Sequence, residues 1–402
     1  MFFENMKFSK KKLKNGLIIL HEKRDVPVTT VMLATKFGSA YESEKEKGIA
    51  HFIEHLCFKG TEKRTFEQIG EEIERVGGIL NAFTSEQLTA YHVKLPSQHL
   101  KIAMDVIFDI YFNPVFPEAE VKKEANVICE EIRMYHDNPH LHVLEKLREN
   151  LYKKPFGMFA AGTREIIMSL GRKQLIEKHR EFYCPENSVL CVVGNNSFED
   201  VVKFAENFCI ERKGSKSKLP KICVHYLQDK EVRGDLYQAN VVLGFHFPKA
   251  SDEEIYSAMV FSVILGQGFS SKLFREVREK RGLAYGVKSF LEAGNDYGHL
   301  GIWVGTDKEK VQEVIDICLE EFGNMKNISE KELEDGKTQI IGNHAVEAEG
   351  SNETALNLIG EEIVRGAEDY YNFEKNIKKV SLKEIKKLVS KTEHASFVLG
   401  PG

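Results

Sequence analysis

No two of the seven cysteines stand at C-x-x-C spacing. They are scattered at 57, 129, 184, 191, 209, 223 and 318, an odd set that suits a reducing cytosol better than secretion. Long apolar runs are also missing: no stretch approaches the roughly 18–20 residues of a membrane span. The opening MFFENMKFSKKKLKNGLIIL is basic, but its LIIL is too short for a signal-peptide core. A soluble, cytoplasmic protein is expected. There is no excess of positive charge either. Lys and Arg number 56 against 61 Asp and Glu, for a net charge of −5, which argues against a nucleic-acid partner. Neither G-x-x-x-x-G-K-[ST] nor G-x-S-x-G occurs. The near-miss GQGFSS follows a predicted helix rather than a strand, so it makes a poor dinucleotide loop. What is present is an ordinary globular composition, 42% hydrophobic over 402 residues, enough for two or three domains with ample core.

Periodicity sets out the elements. Residues 13–38 predict strands broken by turns, with Asn15-Gly16 marking one turn. A charged amphipathic helix is expected over 65–78, stopped by Gly77-Gly78, then two strands over 79–96 and helices over 97–113 and 118–136. The second half runs helix, Gly loop, helix, strand pair and helix from 252 to 325. There, ISEKELEDGKTQIIGNHAV mirrors FPEAEVKKEANVICEEIRM at an offset of 212. The sequence therefore predicts a duplicated α+β unit of about 200 residues. The expected domains are 1–211 and 222–402, joined by the basic linker RKGSKSKLPK at 212–221.

The segment GIAHFIEHLCFKG, residues 48–60, carries the chemistry. On a helix His51 and His55 lie one above the other with Glu54 beside them, while Phe52, Ile53, Leu56 and Cys57 fill the apolar circumference. Cys57 points off the ligand face and belongs to the core. Burying two imidazoles and a carboxylate unpaired costs about 1–3 kcal/mol per unsatisfied group, and more for a charge. A divalent metal compensates, because imidazoles at i and i+4 offer two nitrogens to one ion. H-x-x-E-H is the inverted zinc-peptidase motif, in which the Glu serves as base rather than ligand. The corresponding place in the second half reads VILGQG, which cannot bind zinc, so one metal site per chain is expected. A third ligand is sought on the 118–136 helix, where Glu124, Glu130 and Glu131 line one half and Glu124 and Glu131 share a face. Spacing alone does not choose among them, because such a helix ordinarily just has a solvated face.

The ordered series LKNGL, GIAHFIEHLCFKGT, NAFTS, EANVICEEIRMYHDNP, PFGMFAAGT and GFSSKLFREVREKRGLAYGV spans essentially the whole chain. It resembles the M16 (pitrilysin-like, inverzincin) zinc metallopeptidases, in particular the short subfamily of bacterial and mitochondrial processing peptidases. The resemblance implies two tandem homologous α/β-sandwich domains, each a mixed or antiparallel sheet with helices packed on it. It places a third ligand about 76 residues beyond the second His, at Glu131, with Glu124 supporting. It thus implies zinc on His51, His55 and Glu131, with Glu54 as general base and Glu124 orienting a ligand or tuning the base. NAFTS implies a substrate-pairing strand whose Asn81, Ala82 and Phe83 hold an extended peptide. Arg278 and Tyr285 match the Arg and Tyr that stabilise the oxyanion, although in themselves they are unremarkable members of a basic run and a strand.

The resemblance also implies hydrolysis of oligopeptides or unfolded segments inside a closed chamber. A homodimer is expected, with sites completed in trans and LGQGF (265–269) near the facing zinc. Two departures stand out. Gln87 occupies a place where many relatives carry Glu, and His136, His140 and His142 stand where relatives tend to have acidic residues. The three His invite a second metal site, but Pro139 interrupts them and Asp137-Asn138-Pro139 predicts a turn and helix start. The alternatives are an active subunit of a hetero-oligomer with a degenerate partner, or a non-catalytic scaffold subunit.

Overall fold

The computed structural model describes residues 7–215, 218–390 and 392–402. The chain divides into two compact units, the first built from 1–132, 160–220 and 345–371, the second from 133–159, 221–344 and 372–402.

The first unit holds a six-stranded sheet of β1 (Lys7–Lys12), β2 (Ile18–Lys23), β3 (Val28–Thr35), β4 (Ile79–Thr84), β5 (Thr89–Pro96) and β6 (Ser188–Gly194), in the spatial order β1-β2-β6-β3-β5-β4. β2 and β6 pair in parallel, and the other pairs are antiparallel. The central strands are covered on both faces, so they read as continuous apolar runs, and β6 is buried along its whole length. Alternation divides them between two cores. Val31, Leu33, Leu190 and Val192 pack with α1 (Ile49–Cys57), α2 (Phe66–Glu74), α3 (Leu100–Phe112) and α4 (Glu118–Asp137). Met32, Ala34, Val189, Cys191 and Val193 face the opposite way.

The second unit holds β7 (Gln228–Arg233), β8 (Ala239–His246), β9 (Ala284–Ala293), β10 (Gly298–Thr306) and β11 (Ala395–Pro401), in the order β7-β11-β8-β10-β9. Setting β1 aside, the two sheets share one topology. In chain order both run 1-5-2-4-3, and in both only the first and last strands pair in parallel. The duplication visible at an offset of 212 is thus a duplication of topology.

The compact units differ from contiguous halves at 1–211 and 222–402. The helix after α4 is α5 (Pro139–Leu151), whose Val143, Leu147 and Leu151 are buried; it packs on β8 and β11 in the second unit. Gly244 makes room for it, since a Cβ there would lie 2.6 Å from Leu147 Cδ1. In the second half of the chain, α6 (Glu330–Glu347) is followed by α7 (Ser351–Val364). Ala355, Leu358 and Ile359 of α7 complete the second core of the first unit. The two exchanged segments, 133–159 and 345–371, are themselves 212 residues apart. Each is an amphipathic helix whose i, i+3, i+4 or i, i+4 stripe needs an apolar sheet face, and sequence periodicity does not say which sheet.

Of the expected linker 212–221, residues 216 and 217 lie outside the described residues. Before them, Arg212 donates to the carbonyls of Phe112 and Tyr183 at 2.8 and 3.2 Å, so that part is tied to the first unit. Among the described residues, no helix is long and apolar enough to cross a membrane.

Candidate metal centre

α1 starts with no side-chain cap of its own. Gly48 precedes it at φ 93°, and a Cβ there would lie 2.4 Å from the Ala161 carbonyl oxygen; Gly162, at φ 81°, crowds the Lys47 carbonyl in return. Only glycine fits either place. The helix's free amides are met instead by the buried Glu42 carboxylate. It accepts from Gly48 N at 2.9 Å and Ala50 N at 2.8 Å, with Lys47 Nζ 3.7 Å away. Burial pushes Glu42 up to about 7 against the pull of Lys47 and these amides. Negative charge here also complements the helix dipole.

The apolar side of α1 is the core: Ile49, Phe52, Ile53, Leu56 and Cys57 are fully buried. Its other side brings His51 and His55 together, with Nε2 atoms 3.2 Å apart. Glu131 of α4 meets both, its Oε2 lying 3.6 Å from His51 Nε2 and 3.5 Å from His55 Nε2. A tetrahedral zinc with bonds of about 2.0–2.2 Å holds its ligand atoms roughly 3.3–3.6 Å apart. The triangle of donors therefore fits such an ion. Burial and the neighbouring His55 push His51 down to about 4, against the pull of Glu131. Burial also opposes charge on His55, but hydrogen bonds to Glu124 and Glu131 outweigh it and raise it to about 9. Glu131 sits below the usual carboxylate range, chiefly through His55.

Glu124 lies one helix face away from solvent, 3% exposed. His55 Nδ1–H donates to its Oε2 at 3.1 Å, which leaves Nε2 for the triangle, and Lys59 Nζ donates to its Oε1 at 2.8 Å. Burial favours the neutral acid at Glu124, but His55 and Lys59 more than offset it and hold it low. Glu54 stays outside the triangle. The Thr84 hydroxyl of β4 donates to its Oε2 at 2.5 Å. Burial pushes Glu54 up to about 7, opposed by Thr84 and by the charge of His55. The roles of Lys59, Thr84 and Glu42 were not read from the sequence. Each acts through a contact distant along the chain or around a turn, which no local period encodes.

The remaining expected residues fall in two places. Asn81, Ala82 and Phe83 lie on β4, which among the described residues pairs only with β5 and ends the sheet. The Asn81 side-chain oxygen accepts from Ala82 N at 2.8 Å. Gln87 is buried in the connection from β4 to β5. Arg278 and Tyr285 belong to the second unit, where they stand together. Arg278 sits on a π-helical turn, Phe274–Glu279, with its guanidinium 4.9 Å from the Phe274 ring centre and 5.3 Å from that of Tyr285 on β9. Tyr285 is largely exposed.

His136, His142 and Glu231 do gather in the second unit, although Asn138 caps α5 and Pro139 opens it as the sequence predicts. The cluster already contains a cation. Arg233 donates to Glu231 Oε1 at 2.5 Å and to His136 Nε2 at 3.0 Å, while His142 Nε2 lies 2.8 Å from Glu231 Oε2. His140 turns instead onto Trp303, with ring centres 4.6 Å apart.

Residues 17–164 match the family model described as Insulinase (Peptidase family M16), and residues 169–340 match Peptidase M16 inactive domain. The uncharacterized zinc protease YmxG of Bacillus subtilis is 34% identical over 346 residues, covering 84% of each chain. The mitochondrial-processing peptidase subunit beta of Neurospora crassa is 30% identical over 374 residues, covering 88% of this chain and 78% of that one. A protease from Helicobacter pylori shares the fold at a TM-score of 0.89 and 21% identity, over 98% of this chain and 100% of that one. On these matches the chain belongs to the M16 peptidase family.

Proposed function

We propose that this chain is a zinc-dependent endopeptidase carrying one zinc, held by His51 Nε2, His55 Nε2 and Glu131. The observation that carries the reading is the triangle of donor atoms 3.2–3.6 Å apart with a buried, unligated carboxylate on the same helix. When bound, the ion supplies Lewis acidity and lowers the pKa of water. Glu54 takes the proton of the attacking water and passes it to the leaving amine. Thr84 fixes the direction of that carboxylate. Glu124 holds His55 in the tautomer that turns Nε2 to the ion.

The open edge of β4 suits an extended peptide, which would add as a further strand along Asn81, Ala82 and Phe83. On binding, the peptide must replace Asn81's own hold on the Ala82 amide. Arg278 and Tyr285 stabilise the oxyanion, and their mutual stacking fixes the guanidinium for that task. Since they are carried by the metal-free half, the reading includes a cytoplasmic homodimer. In it a closed chamber is completed in trans and admits oligopeptides or unfolded segments. A second reading, the active member of a hetero-oligomer, is favoured by the relative named as a subunit beta.

Glu54→Gln tests the assignment. The variant is expected to bind zinc as the wild type does and to lose at least about 100-fold in cleavage of a quenched peptide library. A fully active variant overturns Glu54 as base. A wild type without zinc overturns the metallopeptidase reading. Sedimentation of the active species separates dimer from monomer.

A further inference from the structure

We infer that Lys59 is a positioning residue for the metal centre, acting on His55 through Glu124. The inference rests on the zinc reading above and adds a residue to it. Three contacts form a chain. Lys59 Nζ lies 2.8 Å from Glu124 Oε1, Glu124 Oε2 lies 3.1 Å from His55 Nδ1, and His55 Nε2 faces His51 and Glu131 at 3.2 and 3.5 Å.

Each link is constrained. Glu124 is 3% exposed, so its two oxygens have no bulk water to turn to. The partner on one oxygen decides how the other is aimed. Lys59 is itself held from the far side. Its ammonium sits 5.0 Å from the centre of the Phe66 ring, and its side chain is mostly covered. Phe66 in turn opens α2, behind a capping box made by Thr65 and Gln68. A flexible lysine is thereby fixed between an aromatic face and a carboxylate. It comes four residues after His55, one turn beyond it, where α1 has just ended at Cys57.

Removing the ammonium leaves Glu124 with one partner and a buried second oxygen. The carboxylate then turns away from His55 or recruits a proton. Either way His55 loses the acceptor that fixes its tautomer, and the ion loses a well-aimed ligand. Outer-shell partners of metal ligands typically matter by about 10–100-fold in metal affinity. Lys59 stands one contact further out, so the lower end is expected.

The test measures zinc affinity by competition with a chromogenic chelator in full-length wild type, Lys59→Met, Lys59→Arg, Glu124→Gln and the Lys59→Met/Glu124→Gln double variant. Absorption of the cobalt-substituted proteins is recorded in parallel. Lys59→Met keeps the stem over Phe66 and is expected to weaken zinc by about tenfold and to alter the cobalt spectrum, at an unchanged far-UV circular dichroism. Lys59→Arg restores both readouts. The double variant is no weaker than Glu124→Gln alone, because Lys59 acts only through that carboxylate. Unchanged zinc affinity in Lys59→Met, or additive losses in the double variant, overturns the inference while leaving the zinc reading intact. A wild type that binds no zinc overturns both. Should Lys59→Met not fold, the Lys59→Gln protein gives the same comparison.

Discussion

At the scale of single residues, the centre sorts three carboxylates of one type into three roles by their neighbours. Glu131 is about a third exposed to solvent and meets both imidazoles; Glu124 is buried between His55 and Lys59; Glu54 is buried and hydrogen-bonded by the Thr84 hydroxyl. Charged partners hold the first two low, while burial lifts Glu54 to about 7. Thr84 works against that lift, since a hydroxyl donating to a carboxylate favours its ionised form. Removing it in Thr84→Val therefore raises the pKa of Glu54 further. A base acts only when ionised, so the acid limb of the pH–kcat/KM profile moves to higher pH, with activity at pH 6 falling more than activity at pH 8. A profile measured on the peptide substrate checks this; an unmoved or acid-shifted limb contradicts it. The H-x-x-E-H spacing was legible in the sequence because one helical turn sets it. Thr84 and Lys59 were not, because the first reaches Glu54 across 30 residues of chain and the second lies past the helix end.

At the scale of elements, α1 is a nine-residue helix whose apolar face is wholly buried and whose start is fixed by two glycines and a carboxylate. The motif PFGMFAAGT contributes Gly162 to that start. Its backbone lies against Lys47, so a stretch far along the chain serves the first turn of α1. Glu42→Ala leaves Lys47 buried beside two unmet amides. Breaking a buried pair in this way costs about 3–5 kcal/mol, read as a lower guanidinium midpoint of the full chain with fluorescence or circular dichroism. An effect below about 1 kcal/mol, the range of surface pairs, contradicts the role given to Glu42. The element boundaries expected from periodicity hold in outline over the segments read, while β6, β7, β8 and β11 lie outside those segments. β1, Lys7–Lys12, was not anticipated, because an exposed, lysine-rich edge strand has no apolar alternation to betray it. The segment 271–282 is wound partly as a π-helix around Arg278, a local widening that periodicity does not register.

At the scale of the molecule, the repeat is built so that neither half of the sequence covers both faces of its own sheet. Met32, Ala34, Val189, Cys191 and Val193 are sealed by a helix from residues 351–364, and the second sheet is sealed by one from 139–151. A fragment ending at 215 therefore exposes an apolar sheet face. It is expected to aggregate or to bind a hydrophobic dye strongly, whereas the full chain does neither. A fragment that is monomeric, cooperative in melting and dye-silent contradicts the exchange.

The sequence by itself determined the duplication and the placing of two His and a Glu on one helical face. Both follow from short-range period or from self-similarity, which survive in one dimension. It also determined the family, through many motifs in one order. Only the tertiary structure decided that Glu131 meets both imidazoles while Glu124 stands behind one of them. Spacing puts both glutamates on one face of α4, and the choice depends on where that helix crosses α1. Only the tertiary structure decided, too, that Arg233 fills the His136–His142–Glu231 cluster, and that α5 and α7 each cross to the other unit's sheet. These are long-range pairings of groups that many partners could satisfy, and packing alone selects among them.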